Sequence, residues 1–176
     1  MKSRRLFLAI PVTRELILSV NSQKEKLDLP VKWIPDENLH VTLHFFGNVE
    51  EASLIDLTKT IKNHTQQFPP FTMEVNSILL KPGKGQTMVW AGFKEAPSFE
   101  KLALAIAKSI NAPVSRKPLP HINLARHKER IKSDRLPLLF NTPQRLEVTH
   151  FELWESKLSP KGSTYFSLEC FTLNGK

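Results

Sequence analysis

The sequence predicts an α+β fold with two similar lobes, and three observations lead to this prediction. Strand-like runs alternate with helix-like runs along the whole chain, which is typical of α+β proteins. No linker or low-complexity segment divides the 176 residues, so residues 1–176 are expected to form a single domain. The tetrapeptide His-x-polar-Leu occurs at 40–43 and again at 121–124. This spacing, close to half the chain, predicts two lobes that face each other across a groove.

The first elements follow from short apolar runs and their boundaries. Residues 4–10 are predicted to be the first strand of a cytoplasmic protein, since their apolar stretch, 6–10, is too short for a signal peptide. Thr13 can cap the next helix, whose apolar residues recur at helical spacing until Pro30 ends it. Residues 39–46 are predicted to be a strand that ends at Gly47.

The middle of the chain contains two helix signals and one hairpin signal. Acidic residues at 50 and 51 favour a helix start, because carboxylates stabilise the amino-terminal end of a helix. Residues 71–80 and 87–93 flank the turn Lys-Pro-Gly-Lys-Gly and are predicted to be a β-hairpin. Ser98 is expected to cap a third helix with an apolar stripe.

The last third of the chain is predicted to be mostly strand. A proline-rich segment precedes a strand at 121–126, and two longer strands are predicted at 145–154 and 164–173. Cys170 falls in the last of these apolar runs and is expected to be buried. Because it is the only cysteine, a disulfide within the chain and a site built from several thiolates are excluded.

The charge of the chain indicates a polyanionic partner. There are 25 Lys and Arg residues against 17 Asp and Glu residues, a formal net charge of +8. No apolar run approaches the roughly 18 residues that a membrane span requires. Most of the excess charge lies between positions 108 and 135, here called the basic window, which either forms a solvated loop or attracts phosphate. Its basic residues are Lys108, Arg116, Lys117, Arg126, Lys128, Arg130, Lys132 and Arg135.

The two tetrapeptides place polar side chains on one face of two strands. Because side chains alternate along a strand, His40 and Thr42 project to one side, and His121 and Asn123 repeat the arrangement. By the same alternation His44 shares the face of His40. Each histidine taken alone is compatible with a structural role, but two that face each other can divide acid–base catalysis.

A phosphodiester suits such a pair of imidazoles. The neutral histidine takes a proton from the nucleophile, and the protonated histidine gives one to the leaving oxygen. The hydroxyl of Thr42 and the amide of Asn123 can stabilise charge on the phosphoryl oxygens. A metal site at His40 and His44 is an alternative use of the same strand, although neither tetrapeptide contains a carboxylate.

Four segments carry a resemblance to a known family. They are LFLAIP at 6–11, WIPDENLHVTLHFFG at 33–47, PHINLAR at 120–126 and ESKLSPKG at 155–162. Through these segments the chain resembles, nearly end to end, the bacterial and archaeal RNA 2',3'-cyclic phosphodiesterases of the 2H phosphoesterase superfamily. The resemblance implies a bilobal fold with two pseudo-symmetric lobes, antiparallel sheets that flank a central groove, and helices on the outside.

The resemblance also implies an activity and roles for residues. The family opens a 2',3'-cyclic phosphate at an RNA end to leave a 2'-phosphate, without a metal or other cofactor. By motif position His40 matches the proton donor, His121 the proton acceptor and Thr42 a phosphate-binding hydroxyl. Asn123 replaces the usual Thr or Ser, and its amide is expected to keep the phosphate contact. Arg126 matches a basic position, but alternation puts it on the opposite face unless a bulge intervenes.

Two alternative functions use the same residues. Some members of the family join tRNA halves through a 2',5' linkage, so tRNA halves are a second candidate substrate. A non-catalytic module that binds RNA or nucleotides also fits the basic window and the unusual Asn123. In each case the partner is RNA or a nucleotide and not a membrane, and the chain is expected to act as a monomer.

Overall fold

The computed structural model describes residues 2–83, 85–114, 116–133, 136–160 and 162–175. The helices are α1 (Arg14–Lys24), α2 (Leu54–Thr65) and α3 (Pro97–Ser109). The strands are β1 (Ser3–Pro11), β2 (Lys32–Trp33), β3 (His40–Glu50), β4 (Phe71–Gly83), β5 (Gln86–Phe93), β6 (His121–His127), β7 (Leu138–Val148), β8 (His150–Ser159) and β9 (Gly162–Thr172). Five residues of the predicted turns and of the basic window lie outside the described residues: Lys84, Ser115, Asp134, Arg135 and Lys161.

The strands follow one antiparallel order, β7-β4-β5-β6-β3-β1-β8-β9, and β2 pairs with β6 beside this path. We call β3, β1, β8 and β9 the first lobe and β6, β5, β4 and β7 the second lobe. The lobes meet where β3 pairs with β6, at Val41 opposite Ile122. The predicted α+β class with antiparallel sheets is thereby confirmed. The lobes are not the two halves of the chain, because the carboxy-terminal β8 pairs with β1.

Strand β1 shows the two faces of the first lobe. Leu6, Leu8 and Ile10 are fully buried in the main hydrophobic core, which also contains the apolar residues of the three helices. The intervening Phe7 and Ala9 point the other way, into a small cluster that includes Trp154. The helices therefore cover one face of the sheet, the core face, and leave the other free for a site. In the described ranges no helix is both long and apolar enough to span a membrane.

A bulge in β3 follows the first tetrapeptide. The register at this point is Phe7 with Phe45, Leu8 with His44 and Ala9 with Thr42. Leu43 therefore has no partner of its own. Paired residues share a face, so His44 lies on the core face with Leu8, while Phe45 lies on the open face with Phe7. The expectation that His44 shares the face of His40 was wrong, because the bulge interrupts the alternation.

A second bulge in β6 follows the second tetrapeptide. The register is Val89 with Ala125, Trp90 with Asn123 and Ala91 with Ile122, which leaves Leu124 unpaired. Leu124 and Ala125 are both fully buried. Arg126, the next residue, is thus turned to the face of His121 and Asn123. From the sequence, Arg126 could share the face of His121 only if a bulge preceded it. That bulge is present at Leu124, the residue of the second tetrapeptide that corresponds to Leu43 of the first.

Several predicted boundaries were wrong for physical reasons. Gly47 does not end β3. Its φ of 74° allows a second register shift, between Phe45 and Gly47, after which the strand continues. Ser98 does not cap α3, which begins one residue earlier, at Pro97. The run 145–154 is two strands, since Thr149 separates β7 of the second lobe from β8 of the first.

Cys170 is exposed, which contradicts the prediction that it is buried. It lies on β9, which is the last strand of the sheet order and pairs only with β8. Of the apolar run 166–173 only Phe171 and Leu173 are buried. An apolar sequence at a sheet edge does not guarantee a buried side chain, because one side of the strand has no neighbour.

The pair that joins the lobes is expected to be important for stability. Ile122→Ala is predicted to lower the free energy of unfolding by about 2–5 kcal/mol, since the fully buried side chain leaves a cavity. Ile122→Val is predicted to cost only about 0.5–1.5 kcal/mol. Urea unfolding followed by circular dichroism measures both. Equal stability of the Ala variant and the wild type would show that the lobes do not depend on this contact.

Candidate active site

A cavity of about 550 Å³ lies on the open face at the junction of the two lobes, and we call it the groove. All five residues singled out from the sequence line it: His40, Thr42, His121, Asn123 and Arg126. The structure thus brings together side chains of β3 and β6 that are far apart in the sequence. The short pairing of these two strands is what makes their polar faces adjacent.

Both imidazoles are fixed by the same local hydrogen bond. His40 Nδ1 donates to the carbonyl oxygen of Asn38 at 2.8 Å, and His121 Nδ1 donates to that of Leu119 at 2.9 Å. A carbonyl oxygen can only accept, so Nδ1 carries the proton in each neutral ring. Nε2 is then the free nitrogen with the basic lone pair. Each histidine therefore has one nitrogen committed to the backbone and one available for proton transfer.

His40 lies among aromatic rings of the first lobe. The centroids of Phe7, Trp154 and Tyr165 are 5.0, 5.3 and 5.4 Å from the imidazole. Burial among these groups lowers the pKa of His40 to about 4, against the opposing effect of the bond to its backbone acceptor. The charge of Arg126, and that of His121 when it is protonated, lower this pKa as well.

His121 has a different environment on the second lobe. Its ring stacks on Trp90 with a centroid distance of 3.7 Å and an interplanar angle of 16°. Burial lowers the pKa of His121, and the charges of Arg126 and Lys81 lower it further, whereas the bond to the Leu119 carbonyl raises it. Both histidines are therefore neutral at pH 7 before any substrate binds.

Asn123 and Arg126 form one unit. The partners of the Asn123 amide orient it: its oxygen accepts from Arg126 Nε at 2.7 Å and Nη2 at 3.3 Å, while its nitrogen donates to the Ala125 carbonyl at 3.1 Å. An amide nitrogen carries two hydrogens, so one N–H remains available. Asn123 thus holds the guanidinium in the groove and keeps a donor of its own.

The groove is built for an anion. Arg5 and Lys32 join Arg126 along its lining, and among the described residues no carboxylate lines it. Lys32 is paired directly with Arg126 across β2 and β6, so two positive charges share one end of the groove. The hydroxyl of Thr42 has no hydrogen-bond partner among the described side chains and backbone groups. Phosphate oxygens can accept from all of these groups.

The basic window contributes less to the groove than its sequence position suggested. Of the window's Lys and Arg residues that the structure describes, only Arg126 lines the groove, and Arg135 lies outside the described residues. Lys117 forms an ion pair with Glu100 at 2.8 Å, away from the groove. Instead, Arg5 and Lys32, which are not in the window, bring charge to the groove by strand pairing.

The segment 155–162 also reaches the groove. Ser156, Leu158 and Gly162 line it, and Lys161 lies outside the described residues. The side-chain amide nitrogen of Asn38 donates to the carbonyl oxygen of Ser163, next to this segment, at 3.1 Å. The backbone carbonyl of the same Asn38 accepts from His40, so one residue contacts both this segment and the histidine.

The alternative metal site at His40 and His44 is not formed, because the bulge turns His44 to the core face. In the described part of the chain, one group of three potential ligands is found, His150, Glu152 and Cys170, on β8 and β9. None of these three lines the groove.

Several lining residues were not predicted from the sequence, among them Arg5, Lys32, Phe45 and Trp90. One of them had a usable signal. Phe45 lies 81 residues before Arg126, the same interval that separates the two histidines. Strict alternation of side chains hid this relation, because it predicted that Phe45 and Arg126 point away from the face of the two histidines.

Comparison with known proteins identifies the class. The family model described as LigT-like phosphoesterase matches residues 10–90. A solved structure from Thermus thermophilus has a TM-score of 0.83 and 29% identity and covers 98% of this chain and 99% of that one. LigT of E. coli complexed with phosphate has a TM-score of 0.82 at 23% identity, with 98% and 99% covered, which shows the same fold. The family model and the solved structures together show that the fold is that of a LigT-like phosphoesterase.

Relatives that match nearly the whole chain give a more specific family within this class. The RNA 2',3'-cyclic phosphodiesterase of Thermus thermophilus is 30% identical, and the match covers 98% of this chain and 91% of the relative. The enzyme of the same name from Methanothermobacter thermautotrophicus is 26% identical, with 96% and 98% covered. The chain belongs to the RNA 2',3'-cyclic phosphodiesterase family.

Proposed function

We propose that this protein hydrolyses 2',3'-cyclic phosphate ends of RNA to 2'-phosphates by acid–base catalysis between His40 and His121, without a metal ion. The observation that carries this proposal is the pair of imidazoles in one cationic groove, each with Nδ1 bound to a backbone carbonyl and Nε2 free. All of these residues come from one chain, so we also propose that residues 1–176 act as a single, monomeric catalytic domain.

The proposed reaction is an attack of water on phosphorus. His121 Nε2 takes a proton from the water as the new P–O bond forms, and the bond between phosphorus and the 3' oxygen breaks. His40 Nε2 gives its proton to the departing 3' oxygen, which leaves a 2'-phosphate and a free 3' hydroxyl. Thr42, Arg126 and the free N–H of Asn123 donate to the phosphoryl oxygens as negative charge accumulates.

The proton of the acid arrives with the substrate. A pKa of about 4 leaves His40 almost entirely neutral near pH 7 in the free protein. A cyclic phosphate carries one negative charge, and an anion beside the imidazole favours its protonated form. Binding of substrate and uptake of one proton are therefore coupled, and the neutral His121 is already suited to act as base.

This coupling predicts how the rate depends on pH. Both histidine pKa values are lowered in the free protein, so the form with one proton on the pair is lost as pH rises. We expect kcat/KM to fall steadily above about pH 6.5 and kcat to stay level to a higher pH, since bound phosphate raises the pKa of the acid. Initial rates at constant ionic strength measure both profiles. A kcat/KM that rises between about pH 6.5 and 8 would contradict the assignment.

The decisive assay uses RNA with a 2',3'-cyclic phosphate end in excess EDTA. The proposal predicts many turnovers to a product with a 2'-phosphate, identified by chromatography against both monophosphate standards. A 3'-phosphate product or dependence on added metal would overturn the mechanism. Salt-sensitive binding with unchanged substrate would indicate a binding module. Incubation with cleaved tRNA halves tests the ligase alternative, which a joined product would support.

A further inference from the structure

A cluster of three potential metal ligands lies on the first lobe, outside the groove, and we call it the edge cluster. His150 and Glu152 are on β8, and Cys170 is on the edge strand β9. They offer a nitrogen, an oxygen and a sulfur atom, and these three atoms lie within 4.8 Å of one another. None of the three residues lines the groove. The proposed hydrolysis therefore leaves their chemistry unused.

Strand pairing brings the three side chains of the edge cluster to one face of the sheet. His150 and Glu152 are two residues apart on β8, so alternation puts them on the same side. Cys170 is the partner of Glu152 across β8 and β9, and paired residues share a face. On its other side Glu152 pairs with Ala9, which points away from the main core. The edge cluster thus lies on the open face, and the exposed Cys170 leaves it accessible to a small ion from solvent.

The imidazole and the carboxylate each have a second partner that orients them. His150 Nδ1 lies 3.1 Å from the hydroxyl oxygen of Thr149. Glu152 Oε2 accepts from Trp154 Nε1 at 2.6 Å. The remaining two atoms, His150 Nε2 and Glu152 Oε1, lie 3.6 Å apart. Metal-binding histidines and carboxylates in proteins are commonly held in this way, by a hydrogen bond on the atom that does not bind the ion.

The distances and the charge of the edge cluster fit a divalent cation. Two ligand atoms at 2.0–2.3 Å from a tetrahedral ion are roughly 3.3–3.8 Å apart, and His150 Nε2 and Glu152 Oε1 already have this separation. Rotation of the exposed Cys170 side chain can bring its sulfur to a similar distance. Among the residues that the structure describes, Glu152 pairs with no lysine or arginine, so its negative charge is available to a cation.

We propose that His150, Glu152 and Cys170 bind one Zn²⁺ ion, with water in the fourth position of a tetrahedral site. Imidazole, carboxylate and thiolate are the ligand types that Zn²⁺ takes in proteins. Mg²⁺ and Ca²⁺ are not expected to bind, because they take oxygen ligands. The thiol of Cys170 releases its proton to the buffer as the Zn–S bond forms, and His150 binds through Nε2 while Nδ1–H donates to the Thr149 hydroxyl. The ion lies outside the groove and takes no part in the proposed hydrolysis.

Cobalt binding to the untagged, reduced chain tests the edge cluster directly. The wild type is expected to bind one Co²⁺ per chain, with a thiolate-to-cobalt absorption band in the near ultraviolet, and Zn²⁺ is expected to displace it. Cys170→Ser is expected to lose the band. Thr149→Val, which removes only the orienting hydroxyl, is expected to weaken binding by about 10-fold, and His150→Ala, which removes a ligand, by more than about 100-fold. Circular dichroism checks that the variants fold.

His64→Ala is the matched control for His150→Ala, since His64 is an exposed histidine of α2 outside the edge cluster. This variant is expected to bind Co²⁺ as tightly as the wild type. Absence of the band in the wild type, or equal affinity of His150→Ala and wild type, would overturn the site. One ion per two chains, with zinc-dependent dimers in light scattering, would overturn it as well. Hydrolysis in excess EDTA is measured separately, so failure of one proposal leaves the other unaffected.

Discussion

His40→Ala and His121→Ala are each expected to lower kcat for hydrolysis of a 2',3'-cyclic nucleotide by at least about 10²-fold, because each removes one of the two proton-transfer groups. Neither side chain belongs to the main hydrophobic core, so the loss is expected without a comparable loss of stability. Initial rates in EDTA and thermal unfolding of each variant separate the two effects. Activity close to that of the wild type in either variant would mean that its imidazole transfers no proton.

His44→Ala is the matched control for these variants. His44 is on the same strand as His40, but it lies on the core face and contacts the ring of Phe46 at a centroid distance of 4.9 Å. The variant is expected to keep the kcat of the wild type. A loss as large as that of His40→Ala would show that the strand itself, rather than one imidazole, had been disturbed.

A substrate with a good leaving group distinguishes the acid from the base. 4-Nitrophenolate departs from bis(4-nitrophenyl) phosphate without needing a proton, so loss of the acid costs little with this substrate. On this substrate the rate of His40→Ala is expected to approach that of the wild type, whereas the rate of His121→Ala is expected to stay low. If the recovery occurs in His121→Ala instead, the two roles are reversed.

The sequence could predict the centre of the groove because the relevant interactions are local. Alternation on two short strands put His40 with Thr42 and His121 with Asn123, and the structure keeps each pair together. Alternation then failed at Leu43 and Leu124, where an extra residue on one strand changes the face of everything after it. A bulge depends on the partner strand, and a single sequence does not show which strand that is.

Other features depended on contacts that are distant in the sequence. Arg5 reaches the groove because β1 lies between β3 and β8, and this order is not encoded in any local pattern. Cys170 is exposed because β9 is at an edge, although its apolar run looks like a core strand. The basic window predicted that charge collects near His121, whereas the strand register decides which charged residues line the groove.

In the proposed mechanism the two histidines have opposite roles, although their backbone environments are the same. Both histidines have the same bond from Nδ1 to a backbone carbonyl two residues earlier. They differ in their neighbours: three aromatic rings enclose His40, and one stacked indole lies against His121. The backbone repeat thus gives both imidazoles the same free nitrogen, Nε2, whereas the side chains around the two rings differ, and burial lowers the pKa of each.

Arg126→Met is expected to lower kcat/KM by about 10²-fold, the size of effect seen when one preorganised donor to a developing charge is removed. Its guanidinium is fixed by two contacts with the Asn123 oxygen, so it is already in position when the phosphate binds. The kcat/KM of Arg126→Lys is expected to lie between those of the wild type and Arg126→Met, because an ammonium keeps the charge but cannot reproduce the planar pair of contacts. Arg130→Met, an exposed residue of the same basic window, is the control and is expected to leave the rate unchanged.

The pH profile gives a second measurement of the same variant, independent of the size of the rate. Arg126 lowers the pKa of both His40 and His121, so removing its charge raises both values. The decline of kcat/KM above neutral pH is therefore expected to move to higher pH in Arg126→Met and to stay in place in Arg126→Lys. A profile that does not move in Arg126→Met would place the guanidinium too far from the imidazoles to act on them. The loss of rate would then reflect phosphate binding alone.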